Sequence, residues 1–457
     1  MRILRLILVR LTAILALFAM GVQPVAAQGI SVLRDAETEA LLQDMTDPLA
    51  DAAGLGQGAV EIVLVNDNSI NAFVAGGQRI FIHSGLINEA DTANEVQGVI
   101  AHELGHITGG HINRFSEGAG QYTRISLLSA LLAVGAALAG AGDAAMGVLA
   151  AGQQAAMGSF LAFSRSQEAS ADAAGAEYLS VAGISGRGSL TFFEKLQSFE
   201  FRRGISQANE REYGRTHPLT GTRLARLREV YEADPAWDAP SDPDLERRFQ
   251  AVKGKLYGFL APHARVMAAY PAYMTGTPAR YARAYSYHRE ALIPEALAEV
   301  DALIASEPQN PYFLELRGQI LLESGRVEEA LPALREATRL TNSNPLIATS
   351  LGHALIATEE PENYVEAEQV LRAAIGRDHQ NPFAWYQLGV VYNHNGDVPR
   401  ARLASAEQQV MQGNFQGALV NAQAAENALP TGSPDWLRAQ DVGLQARQLL
   451  ERQRDRN

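Results

Sequence analysis

The sequence contains no cysteine. No disulfide can staple the fold, and no lipid can be carried on an N-terminal cysteine. Stability must come from hydrophobic cores, which a chain of 457 residues is long enough to bury. Basic charge is also scarce. Lysine and arginine number 38 against 51 aspartates and glutamates, for a formal net charge of −13. Nothing here builds the basic surface that a nucleic-acid partner requires. The apolar run at the N-terminus, Leu11 to Val22, is short for a membrane-spanning helix. Hydrophobic residues make up 47% and charged residues 19%, the balance of a globular protein. The length suggests two or three domains.

That N-terminal run has a specific reading. Arg2, Arg5 and Arg10 precede or open it, and Val25-Ala26-Ala27 supplies small residues after it. This is the pattern of a secretory signal peptide over residues 1–27, cut after Ala27. An exported protein without cysteine, soluble or peripherally attached in a bacterial periplasm, fits both features.

Beyond it, residues 34–50 have helical apolar spacing through Leu41, Leu42 and Met45. Residues 59–65 read as a strand. Two short β-type runs, Asn71–Ala75 and Arg79–His83, are joined by Gly76-Gly77 and predict a hairpin. A helix is expected over 91–113, and others over 164–182 and 186–202. Between them, residues 125–160 are Ala- and Gly-rich and almost wholly apolar. They predict a helical hairpin, buried or lying at a membrane surface, since Gly135, Gly140 and Asp143 interrupt any spanning stretch.

Turn formers cluster at 234–244 and mark a linker. After it the chain repeats. Pro311, Pro345 and Pro382 recur at intervals of 34 and 37, each followed seven residues later by Gly318, Gly352 or Gly389. Ala330, Ala367 and Ala401 follow in turn, and Ala284 and Ala296 hold the same roles one period earlier. This period with paired small residues resembles the tetratricopeptide repeat, a helix-turn-helix unit. Residues 413–430 look like a less regular unit, and 434–452 a closing helix. Stacked units create a concave surface suited to proteins or peptides.

The chemistry centres on His102-Glu103-Leu104-Gly105-His106. Histidines four apart share one helix face and can ligate one metal. Glu103 stands aside from the pair but within reach of the attacking water, as in zinc peptidases that use His-Glu-x-x-His with Glu as general base. A catalytic zinc wants a third protein ligand. Two candidates compete. His111 lies one residue before position 112, where a metzincin would need it and where this chain has Ile112; it reads as an ordinary polar residue. Glu168 lies four before Asp172 on an expected helix. Glu168 can ligate while Asp172 accepts the outer N–H of a ligand imidazole. His217, with Arg223 after it, could stabilise an oxyanion. Alternatively His217 could fill the open metal position and hold the enzyme inactive. Spacing alone does not choose.

Three segments resemble one family. Asn71-Ala72-Phe73 with Gly76 to Leu86, Ile100 to His106, and Arg165 to Asp172 are similar to the gluzincin peptidases related to the CAAX-prenyl endopeptidases and the heat-shock membrane protease. With the export signal and the repeats, the architecture resembles periplasmic members of that family that assist outer-membrane β-barrel assembly. The resemblance implies one Zn(2+) per chain on His102, His106 and Glu168, with Glu103 as base. It implies that His217 and Arg223 aid or gate catalysis near the metal. It also implies that the 76–82 strand, through Gly77, Gln78, Arg79, Ile80 and Phe81, is the active-site edge for substrate β-pairing. Implied partners are unfolded or misassembled outer-membrane proteins, with the β-barrel assembly machinery reached through the repeats. The alternative is a repeat-based chaperone whose peptidase is normally latent.

The expected fold is mainly α with an α+β part: a helix-rich zincin domain with a small sheet, then an α-solenoid. The expected domains are 28–238 for the peptidase, 239–276 for a linker with connecting helices, and 277–457 for the repeats.

Overall fold

The computed structural model describes residues 31–138, 142–201, 217 and 220–456. The expected signal peptide lies outside them.

The chain opens with β1 (Val32–Leu33) and α1 (Ala36–Ala52), then β2 (Glu61–Val65), β3 (Ala72–Ala75) and β4 (Arg79–His83). Asp35 caps α1 by accepting from the Thr38 amide. The four strands form one sheet in the order β1-β2-β4-β3. β3 and β4 are the expected hairpin, with Gly76 and Gly77 at φ +62° and +99° in its turn. Those are left-handed conformations that glycine adopts without strain.

The sheet order corrects one expectation. β4 is not an edge. It pairs in parallel with β2 and antiparallel with β3, so Arg79, Ile80 and Phe81 have partner strands on both sides. Gly77 and Gln78 lie in the turn, and the Gln78 carbonyl already accepts from the Glu61 amide. The edge strand on this side is β3. His83 donates its amide to the Asn71 carbonyl, which sets the phase of the antiparallel ladder. The backbone groups of Ala72 and Val74 therefore point outward, where no described residue pairs with them.

Six helices follow among the described residues: α2 (Ser84–Glu89), α3 (Ala93–Thr108), α4 (His111–Leu138), α5 (Gly142–Val181), α6 (Arg187–Phe201) and α7 (Gly221–Glu232). The helix expected over 91–113 stops at Thr108, because Gly109 and Gly110 turn the chain, Gly110 at φ +62°. The helix expected from 164 is the last part of α5, which runs unbroken for 40 residues and contains no proline. α4 and α5 form the expected hairpin. Its seam is small: Ser129, Ala133 and Ala156 are buried, and a Cβ on Gly152 would come within 2.0 Å of the Ser129 Cβ. The buried alternative is overturned. Leu127, Leu128, Leu131 and Leu132 are each 58–62% exposed. Among the described residues, no helix is long and apolar enough to cross a membrane.

The helical part continues with α8 (Pro243–Leu260) and α9 (His263–Ala269). Both fall where a linker with connecting helices was expected, but α8 is no spacer. Phe249, Val252 and Leu256 complete the core under the sheet, while Ala251 joins the core of the first repeat. Five helix pairs then build the solenoid. They are α10 (Thr277–Arg289) with α11 (Ile293–Ser306), α12 (Pro311–Glu323) with α13 (Val327–Leu340), and α14 (Pro345–Ala357) with α15 (Pro361–Arg377). α16 (Pro382–His394) with α17 (Val398–Met411) and α18 (Phe415–Ala428) with α19 (Pro434–Arg456) complete it.

The repeat signature has plain causes. Pro311, Pro345 and Pro382 open their helices, capped by the side chains of Asn310, Asn344 and Asn381. Gly318 and Gly352 admit Leu334 and Leu371, whose Cγ atoms would lie 2.4 and 2.6 Å from an added Cβ. Ala284, Ala296, Ala330 and Ala367 are fully buried, while Ala401 is only partly so.

The solenoid grips the start of the sheet-bearing part. Arg34 pairs with Asp378 at 3.0 Å. Lys255 on α8 reaches Asp35 at 2.6 Å and Glu37 at 3.2 Å, and the Tyr281 hydroxyl donates to Glu37 at 2.7 Å.

Candidate metal and active site

Two helices carry the candidate residues, and glycine decides how closely they cross. α3 holds His102, Glu103 and His106, while α5 holds Glu168 and Asp172. A Cβ on Gly105 would stand 2.5 Å from the Ala171 carbonyl oxygen, and one on Gly175 would stand 3.0 Å from the Ala101 backbone. Gly105 is required for the helices to meet at this distance, while a side chain at 175 would push the neighbouring backbone away by a few tenths of an ångström. Thr92 caps α3, and Asn94 ties its first turn to the Ser185 carbonyl and the Gly188 amide.

The crossing brings four ligand-type side chains together. Donor atoms of His102, His106, Glu168 and His217 lie within 4.8 Å of one another, and all four residues are buried. The Nε2 atoms of His102 and His106 face each other at 3.1 Å. Glu168 stands 3.4 Å from each of these nitrogens through its two oxygens. His217 Nδ1 is 3.2 Å from His102 Nε2 and 3.2 Å from both Glu168 oxygens. Imidazole and carboxylate lone pairs converging on one point fit a cation, which turns mutual repulsion into ligation.

Glu103 strengthens that fit. Its side chain is fully buried, and neither carboxylate oxygen has a hydrogen-bond partner among the described residues. The nearby ring nitrogen is His217 Nε2, at 3.5 Å. A buried carboxylate without a donor is costly unless the site uses it. This one stands beside the ligand cluster, as a proton acceptor must.

The outer faces of the rings are held as well. His102 Nδ1 is 3.0 Å from Asp172, which fixes the tautomer that turns Nε2 inward. Arg223 grips Asp172 at 2.5 and 2.7 Å and reaches Glu168 at 2.9 Å. Its Nη2 also lies 3.4 Å from both ring nitrogens of His102. The guanidinium also lies over the Phe193 ring, 5.5 Å from its centre. Burial works against a charged His102, but hydrogen bonds with Asp172 and Glu168 outweigh it and push the ring up to about 9. Burial would raise Glu168, yet hydrogen bonds with His102, His106 and His217 hold it far below the usual carboxylate range.

One residue was misread from the sequence. His111 is not an ordinary polar side chain. It opens α4 directly after the glycine turn, is buried, and places Nδ1 2.9 Å from His106 Nδ1. It does for His106 what Asp172 does for His102. The signal was present in Gly109, where a Cβ would come within 2.4 Å of the His111 ring. His111→Ala is expected to weaken metal affinity by roughly 10- to 100-fold with little loss of fold. Competition with a chelating dye measures this, and unchanged affinity would remove His111 from the site.

Residues 36–231 match peptidase family M48. This segment is an M48 metallopeptidase domain. Residues 281–345 and 362–414 match the tetratricopeptide repeat, so the solenoid behind the M48 domain is a repeat domain. The whole arrangement has relatives. The Beta-barrel assembly-enhancing protease of Escherichia coli K12 is 26% identical over 399 residues, spanning 85% of this chain and 79% of that protein. Its namesake in Yersinia pestis is 26% identical over 395 residues with the same coverage. The Metalloprotease LoiP of Escherichia coli K12 is 33% identical over 168 residues, which cover 36% of this chain and 60% of that protein. Among solved structures, YrrB, a TPR protein with an unusual peptide-binding site, is 19% identical with a TM-score of 0.32, over 38% of this chain and 91% of that one. That score is too low to argue from, and the solenoid rests on its own helix pairs.

Proposed function

We propose that the chain is an exported, zinc-dependent endopeptidase of outer-membrane protein quality control. The observation that carries this is the convergence of His102, His106 and Glu168 beside the unpartnered carboxylate of Glu103. Zinc bound there supplies Lewis acidity toward the scissile carbonyl. The other tasks fall to this chain. Glu103 takes the proton of the attacking water. Asp172, His111 and Arg223 keep the ligand rings and carboxylate in place. The outward backbone of Ala72 and Val74 on β3 pairs with an extended substrate segment. The domain limits of this reading are a signal peptide over 1–27, a peptidase over 28–238, a connecting region over 239–276 and repeats over 277–457.

The names of the relatives and the export-type N-terminus support a periplasmic site of action. Misassembled β-barrel proteins are the proposed substrates, recruited with or through their assembly machinery by the repeats. Peripheral membrane attachment belongs to the same reading. Purified chain is expected to carry one zinc, to lose cleavage of an unfolded β-barrel protein on chelation and to regain it on zinc addition. Undiminished cleavage after the metal is stripped and its absence verified would sink the proposal.

A second reading is favoured by His217. Its Nδ1 sits among the ligands and its Nε2 faces Glu103. A side chain so placed supplies a fourth ligand and covers the base. The peptidase would then be latent at rest, with the repeats acting as a chaperone.

A further inference from the structure

The α4–α5 hairpin presents apolar side chains with no role in the metal site. Leu127, Leu128, Leu131 and Leu132 on α4 are exposed, as are Met146, Met157 and Leu161 on α5. A run this dense is uncommon on a protein surface without a partner. From residue 125 to residue 164, 40 positions, the only charged residue is Asp143.

We propose that this hairpin docks on a lipid bilayer and holds the peptidase at a set height above it. The shape of the apolar surface points to lipid over a second copy of the chain. Ser129 and Ala133 mark the side of α4 that meets α5. At 100° per residue, the four leucines centre on nearly the opposite side. On α5, Gly152 and Ala156 mark the seam, and Met146, Met157 and Leu161 turn away from it by the same geometry. The apolar side chains thus wrap the outer flanks of a narrow two-helix arm. One flat protein face would cover only one flank, whereas a fluid apolar phase covers both.

Charge and length agree. Arg124 and Arg165 are exposed on either side of this stretch and form no ion pair among the described residues. They are placed to meet anionic headgroups. The rise of a helix puts Leu138 about 21 Å beyond Arg124, less than the roughly 30 Å of a bilayer's hydrocarbon core. The arm is long enough to enter one leaflet or lie along it, and too short to cross. The same rise sets Glu168 about 39 Å along α5 from Gly142. The metal site would then stand near the membrane without touching it, suited to extended segments that protrude from the surface.

The test is flotation of the chain from Gln28 onward, so that the N-terminal apolar run cannot itself bind. Vesicles of phosphatidylethanolamine with phosphatidylglycerol are compared with phosphatidylcholine alone. The chain is expected to float with the anionic vesicles and less with the neutral ones. Leu128→Glu with Leu131→Glu should lower binding on the order of tenfold or more, and Arg124→Glu should weaken only the anionic preference. Neither leucine touches the metal cluster, so hydrolysis of a soluble peptide should be unchanged. If that double variant misfolds, serine at both positions replaces glutamate. Wild-type chain that stays at the bottom overturns the proposal, as does a leucine variant that floats equally well. A dimer in lipid-free buffer that the leucine variant dissociates would assign the face to a second copy. Flotation of Glu103→Gln chain reads membrane binding without turnover, so failure here and failure of the peptidase reading remain separable.

Discussion

Glu103→Gln is expected to lower kcat by about 10²- to 10⁴-fold while leaving metal content unchanged. The argument starts from burial. Glu103 is fully buried, accepts no hydrogen bond among the described residues, and adjoins the ligand cluster without belonging to it. Glutamine keeps its shape and removes its basicity. The ligands His102, His106 and Glu168 are untouched, so zinc should remain and KM should change little. Two measurements are needed together: metal content per chain and steady-state cleavage of an unfolded β-barrel protein. A variant that retains both zinc and wild-type kcat would mean another group takes the proton. The same variant separates the two readings of function in cells lacking the protein. Full restoration of outer-membrane integrity would favour a chaperone role for the repeats.

His217→Ala is expected to move activity the opposite way, raising basal cleavage by roughly 10- to 100-fold. His217 contacts the ligand cluster with one ring nitrogen and faces Glu103 with the other. If the resting enzyme is competent only in the small fraction of molecules where this ring has left, alanine removes that cost. The opposing expectation is definite too. If His217 instead stabilises the oxyanion, alanine lowers kcat by about 10²- to 10³-fold. Initial rates on one peptide, measured with zinc saturation verified, decide between them. An unchanged rate would leave His217 with neither role. Arg223 is less informative in such an assay. It holds two buried carboxylates, and its loss would disturb the ligand geometry along with any catalysis.

Much of the architecture was readable because it repeats or because it is local. The repeat period follows from where helices must start and where they must touch, so Pro311, Pro345 and Pro382 with Gly318 and Gly352 announce the solenoid in one dimension. The hairpin turn at Gly76-Gly77 and the helix under His102 and His106 are equally local. The errors lie where pairing is non-local. Nothing in the residues of β4 says that β2 will add to its far side, since a strand's neighbours are chosen across the chain. That choice moved the free edge from Arg79–Phe81 to Ala72–Ala75. His111 was misjudged for a related reason. Its distance along the sequence excluded it as a ligand, but not as the partner of a ligand's outer nitrogen.

The sequence by itself determined the chemistry available: two imidazoles on one helix face, an adjacent carboxylate, an acidic pair four apart, and a repeat. These are properties of spacing along a helix, and spacing is written in the chain. Only the tertiary structure decided which groups meet. The close crossing of α3 and α5 at Gly105 and Gly175 joins the two motifs. The return of the chain brings His217 into the cluster from 115 residues beyond His102. It also decided that the leucines of α4 face outward, because the seam with α5 is filled by small residues and leaves no room for larger ones. Contacts between distant segments depend on how helices pack, and no single helix carries that information.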